Sequence, residues 1–239
     1  MSDKVTAHRP LWVDLTVLLI SFAVFFTLLA LGTWQLHRLE WKTDLIEAVE
    51  SRAFGAPVRP PAGKVMESDH AFLRVVVDGI YRHDLSRRVK AVTDVGPGYW
   101  LLTPLRSGRS HIWVNRGFVP TGPPDQDLTK PAGTVRIEGL LRVTEPDGTL
   151  LERNDPSRGR WVSRDVSALS QDVDITNAAA YFIDADHAGR SASWPRGGMT
   201  VTTFRNPHLA YSLTWFAMAG LLFFGIAYVI RDRWRSEKR

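Results

Sequence analysis

Residues 15–36 and 209–230 contain no aspartate, glutamate, lysine or arginine, and no other feature narrows the folding options of this chain so sharply. At about 1.5 Å rise per residue, each run reaches roughly 33 Å as a helix, enough to span a bilayer's hydrocarbon core. Between them, about 37–206, lies a polar stretch large enough for one domain with its own core.

The second run begins as helices begin. Asn206 can serve as N-cap, and Pro207 suits the first helical position, where no amide hydrogen is needed. His208 then falls in the first turn, at the membrane surface, with Tyr211, Ser212 and Trp215 below it at i+3, i+4 and i+7. The expected span is 207–230, and Arg231, Arg233, Arg235, Lys238 and Arg239 make 231–239 a basic tail that belongs in the cytoplasm. At the other end, a polar leader (1–10) carries Lys4 and Arg9. With Ala30-Leu31-Gly32 it could mark a signal peptide, but the apolar run is too long and continues to Trp34 and Leu36. An uncleaved transmembrane helix over 11–36 is the better reading, with both termini in the cytoplasm and 37–206 outside. Leu36, Leu39, Leu45, Ile46 and Val49 keep helical spacing beyond it, so the helix is expected to extend to about residue 54, before Gly55-Ala56-Pro57.

The middle of the chain reads as strands. Residues 72–81, 88–93, 99–104, 111–119 and 134–143 are rich in β-branched and aromatic side chains and are separated by Gly, Pro or Asp turns. In 134–143, Val135, Ile137 and Leu141 alternate with Arg136, Glu138 and Arg142, and Gly139 is a candidate bulge. A short helix is expected near 163–170 and a last strand at 180–184. The fold class is therefore a membrane protein in which two transmembrane α-helices flank an extracytoplasmic, mainly antiparallel β domain, a small barrel or sandwich.

Several function classes drop out. The chain has no cysteine, so disulfides, thiolate zinc sites and CxxC redox chemistry are absent. Its net charge of +5 comes partly from the basic tail, and no basic run is interleaved with aromatics, so nucleic acid is not an expected partner. No GxSxG, HExxH, phosphate-cradling or dinucleotide-binding motif occurs. His70, His83, His111 and His187 are scattered, with no two at the spacing of metal ligands. An enzyme is not expected.

Three groups remain. Gly32, Trp34, Gln35, Arg38, Trp41 and Lys42 mark the outer end of the first helix, where aromatics and long cations also serve as a plain interfacial anchor. Residues 98–104 and 114–120 read first as two paired strands ending in turns. Residues 206–216 carry His208, either a headgroup contact or an imidazole placed to ligate iron.

In order along the chain, these groups resemble the Surf1 family, membrane-bound assembly factors of haem–copper cytochrome oxidase. Gly32, Trp34, Gln35, Arg38, Trp41 and Lys42 fill the family's opening pattern. Gly98-Tyr99, Thr103-Pro104-Leu105 and Asn115-Arg116-Gly117-Phe118-Val119-Pro120 match its middle, and Asn206, His208-Leu209, Tyr211 and Thr214-Trp215-Phe216 match its last helix. Phe118 stands where the family has tryptophan, and Pro207 where it has a second asparagine. The resemblance implies a non-enzymatic protein of the cell membrane. It would bind haem a transiently and assist its insertion into the catalytic subunit I of an aa3-type cytochrome c oxidase. His208 would be the iron ligand, Trp34, Gln35, Tyr211 and Trp215 would line the ring, and Arg38, Arg205 or Lys42 would stand by the propionates. The implied partners are oxidase subunit I, haem a synthase and the lipid bilayer, with no nucleic acid. A haem-free scaffold that holds the nascent subunit is the alternative, with the tryptophans as packing residues and His208 as an anchor. His37 is a second candidate ligand, by its depth alone.

Overall fold

The first apolar run lies inside one continuous helix, α1 (Leu11–Ala53), in a computed structural model that describes residues 10–122, 128–146, 148, 152–187, 193–202 and 204–236. The leader with Lys4 and Arg9, and Lys238 and Arg239 of the tail, lie outside the described residues. The second apolar run forms α4 (His208–Ser236). Both helices are long and apolar enough to cross a membrane. Their apolar side chains point outward, Leu19 at 72% exposure and Leu221 at 75%. Such a surface suits lipid and would be costly in water.

The chain divides into two compact units, Met1–Ile46 with Phe204–Arg239, and Glu47–Thr203. The division falls inside α1, so the last turns of that helix belong to the second unit.

That second unit holds β1 (Arg74–Tyr81), β2 (Arg87–Thr93), β3 (Gly96–Ser107), β4 (Ser110–Pro120), β5 (Thr134–Val143) and β6 (Ala178–Ala185), with short helices α2 (Glu67–His70) and α3 (Val166–Asp172). The strands pair in the order β1-β5-β6-β4-β3-β2, and a short β1–β3 pairing closes the sheet into a barrel with β2 on its flank. Every ladder is antiparallel except β4–β6, which is parallel. β1 starts two residues later than composition suggests, because Phe72 adopts a φ of 63° that an extended strand cannot include.

The barrel is filled by Val75, Val77, Tyr81, Leu105, Ile112, Val114, Leu141, Tyr181 and Ile183, contributed by all the strands of the closed ring. A second core of Val89, Leu102, Trp113, Trp161, Val166, Leu169 and Phe182 lies beneath α3. Neighbours in sequence go to opposite cores: Ile112 and Val114 to the first, Trp113 to the second. Hence β4 is apolar on both faces and lacks simple alternation.

Gly139 is not a bulge. The β1–β5 register runs through it without interruption, Val75 opposite Gly139 and Val76 opposite Glu138. A Cβ there would lie 2.2 Å from the Asp184 carbonyl oxygen, so glycine is needed for the close approach of β6. A bulge lies instead in β4, where it pairs with β3. Leu102 faces Asn115 and Trp100 faces Phe118, which leaves Arg116 and Gly117 opposite Leu101 alone.

Candidate functional site

Within the first unit, α1 and α4 lie antiparallel, joined along their length by specific contacts. Near the start of α4, Lys42 Nζ donates to the Arg205 carbonyl at 2.7 Å. The Asn206 amide donates to the Thr43 hydroxyl at 3.2 Å. Further along, Ser212 Oγ donates to the Gly32 carbonyl at 3.0 Å, and Ser212 itself is 1% exposed. Gly32 permits this approach, since a Cβ there would meet the Phe216 ring at 2.6 Å. Phe25 and Phe223 follow, with ring centroids 6.1 Å apart, and Asp14 pairs with Arg233 at the far end.

Asn206 is thus not the cap that its position suggests. The Tyr211 amide bonds to the Pro207 carbonyl at 3.2 Å, so the helix starts one residue later, with Pro207 as the capping position and His208 first inside. The Asn206 side chain is turned to α1, where it ties the two helices together.

His208 is half-buried, and its Nδ1 lies 2.7 Å from Gln35 Oε1. An amide oxygen only accepts, so Nδ1 carries the hydrogen and donates it. In the neutral ring this leaves the lone pair on Nε2, the atom free to ligate a metal. A hydrogen bond to the second nitrogen of a ligating histidine fixes both tautomer and ring orientation, and Gln35 supplies that bond here.

The other candidates surround this pair less closely. Trp215 is half-buried on α4 and Tyr211 is exposed beside it. At about 100° per residue, Arg38, Trp34 and Trp41 stand roughly 60–120° round α1 from Gln35. Arg38 Cζ sits 3.9 Å over the Trp41 ring, and Trp34 is exposed. Arg205 is exposed, with its carbonyl held by Lys42. His37 is on the face of α1 turned away from Gln35, with its Nδ1 3.1 Å from the Thr33 carbonyl. Among the described residues no group of three or more His, Cys, Asp or Glu could hold a bare metal ion.

The second motif group lies in the barrel. Asn115 Nδ2 donates to the buried Asp184 at 2.8 Å, while Asn115 Oδ1 accepts from the Gly117 amide at 3.1 Å. Asp184 also accepts from Thr200 at 2.9 Å, from Arg142 at 3.1 Å and from Arg164 at 3.4 Å. Glu145 balances the second positive charge, 2.5 Å from Arg164. This network joins β4, β5 and β6, and the buried carboxylate has a full set of donors. Asp184, Arg142 and Arg164 were not singled out from the sequence. The signal was available: Asp184 closes an otherwise apolar strand run, Tyr181-Phe182-Ile183.

The chain matches the SURF1 family model over residues 22–220, which takes in the Ser212–Gly32 contact, the Gln35–His208 pair and the whole barrel. It is 33% identical over 224 residues to Surfeit locus protein 1 of Mus musculus, covering 83% of this chain and 72% of that one. The Homo sapiens protein of the same name is 32% identical over 214 residues, covering 81% of this chain and 70% of its own length. A SURF1-like protein of Monosiga brevicollis is 30% identical over 227 residues, covering 88% and 83%. With a family match across most of its length and relatives above 30% identity over more than four fifths of the chain, it belongs to the SURF1 family.

Proposed function

We propose that this protein is a non-enzymatic assembly factor for a haem–copper cytochrome c oxidase of the aa3 type, and that it holds haem a at the outer end of the helix pair for delivery to subunit I. The observation that carries this reading is the 2.7 Å bond from His208 Nδ1 to Gln35, which leaves Nε2 as the free lone pair. The donor set suits haem iron, which takes a neutral imidazole as its axial ligand. Gln35 orients the imidazole, Trp215 and Tyr211 offer aromatic surface, and Arg38, Lys42 and Arg205 offer cations to the propionates. One protein ligand on a helix surface holds the haem without enclosing it, which lets the cargo leave. Haem a synthase is the proposed source of the haem. Its two apolar helices support a location in the cell membrane, and the reading sets both ends on the cytoplasmic side. The Asp14–Arg233 pair and the following Arg235 support that orientation, because they set the start of α1 beside the basic end of α4.

The absorption spectrum of detergent-purified protein, co-produced with the enzymes of haem a synthesis, tests the proposal. The parent is expected to carry a haem a band, His208→Ala to lose it, and Gln35→Ala to keep a weakened and shifted one. A folded parent without haem would leave the other reading, a haem-free scaffold for subunit I. The Ser212–Gly32 bond and the close Gly32–Phe216 contact favour that alternative, since they make the helix pair a rigid unit without any cofactor.

A further inference from the structure

The β4 bulge turns Arg116 into an unusual setting. Arg116 is 9% exposed, the one buried arginine among the described residues. Four of the domain's half-buried arginines have a carboxylate: Arg74 has Asp186, Arg87 has Asp172, and Arg142 and Arg164 share Asp184 and Glu145. Arg116 has none among the described residues. Its partners are neutral: the Thr129 carbonyl, His83 Nδ1 at 3.3 Å and the face of Tyr81, 5.0 Å from Cζ. His83 Nε2 lies 3.0 Å from the Pro131 carbonyl, so Nε2 carries the hydrogen and Nδ1 accepts from the guanidinium. A buried charge is costly without an opposite charge or a full set of hydrogen bonds. Burial lowers the guanidinium from its ordinary value, and only Tyr81 acts in the other direction.

Beside Arg116 is a cavity of about 880 Å³ at the edge of the barrel core, lined also by Tyr81 of that core and by Val135 and Ile137, which pack against it. Barrel mouths of this size commonly take small ligands. Lys130 and Arg136 stand at its exposed edge. Of the two acidic residues there, Asp186 is already bound by Arg74 at 2.5 Å, which leaves Glu138 against three cations.

We propose that this barrel mouth binds a small oxyanion, the carboxylate or phosphate group of a soluble ligand, with Arg116 as the buried anchor and Lys130 and Arg136 at the rim. The planar guanidinium fork fits either group with paired hydrogen bonds. This site is independent of haem and lies wholly within the β domain.

The test uses the full chain in neutral detergent, titrated with inorganic phosphate and separately with succinate, against chloride at matched ionic strength. Binding is followed by calorimetry and by the Arg116 Nε–H resonance. Saturable binding of at least one probe, with that resonance shifted, is expected, and phosphate against succinate tells which group the site prefers. In Arg116→Gln the binding should disappear. If that variant does not fold, the exposed pair Lys130→Gln and Arg136→Gln should together weaken binding by about tenfold, the effect of two rim charges near 0.7 kcal/mol each. No saturable binding of either probe, an unmoved Arg116 resonance, or unchanged affinity in the rim variant would overturn the proposal.

Discussion

A single hydrogen bond at His208 selects which ring nitrogen can serve chemistry, and it comes from a residue 173 positions away. Both residues could be singled out from the sequence, Gln35 by its place among the interfacial aromatics and His208 by its place in a helix's first turn. Their pairing could not, because it depends on the relative rotation of two helices. Two tyrosines illustrate the same dependence. Burial pushes the hydroxyls of Tyr81 and Tyr181 up to about 12, and for Tyr81 the nearby Arg116 acts weakly the other way. Their folded-state values lie above the unfolded value of 10.0, so their contribution is fully present below about pH 10 and is lost as pH rises through about 12. At about 1.4 kcal/mol per unit, Tyr81 alone accounts for something on the order of 2–3 kcal/mol. An alkaline titration followed at the tyrosinate absorbance should show two tyrosines ionising only near pH 12, together with loss of the near-UV circular dichroism. Tyr181→Phe should move the alkaline unfolding midpoint upward, and an unchanged midpoint would contradict the assignment.

At the scale of elements, local rules decide where helices start only when the side chain stays local. Asp165 does: its carboxylate accepts from the Ser167 amide at 3.0 Å and the Ala168 amide at 3.1 Å, capping α3. That short helix covers the second core with Val166 and Leu169. Asp165→Ala should lower the unfolding free energy by about 1 kcal/mol, measured by denaturant titration with an unchanged slope. A loss within error of zero would mean that the cap is not needed to hold α3 in place. Asn206 differs, because its amide finds Thr43 on the neighbouring helix, and the first helical bond runs from the Tyr211 amide to the Pro207 carbonyl with no side-chain cap from Asn206. Strand limits show a similar pattern. Thr134–Val143 follows from its composition, whereas β3 and β4 run further than their apolar stretches, since hairpin pairing continues to Ser107 opposite Ser110. The glycine in β5 looked like a bulge because a local reading cannot see β6 approaching it.

The whole molecule joins two solvents' worth of chemistry in one chain, an apolar helix pair and a barrel with two cores of its own. Because those cores draw only on residues of the second unit, the fragment 47–203 should fold without the helices. It should give dispersed amide resonances and one cooperative thermal transition, whereas a collapsed spectrum would show that the helices are needed to complete the barrel. Charge-free length, the lack of cysteine, β-branched strands and glycine or proline turns are one-dimensional properties, and they already imply two spanning helices around a β domain. Strand order, the parallel β4–β6 ladder and the short β1–β3 closure are not legible that way, because each pairs segments whose separation carries no local trace. For the same reason the burial of Arg116, the Asp184 network and the tautomer of His208 follow only from the folded chain. Each is set by which distant groups come within hydrogen-bond reach, and that is a property of packing.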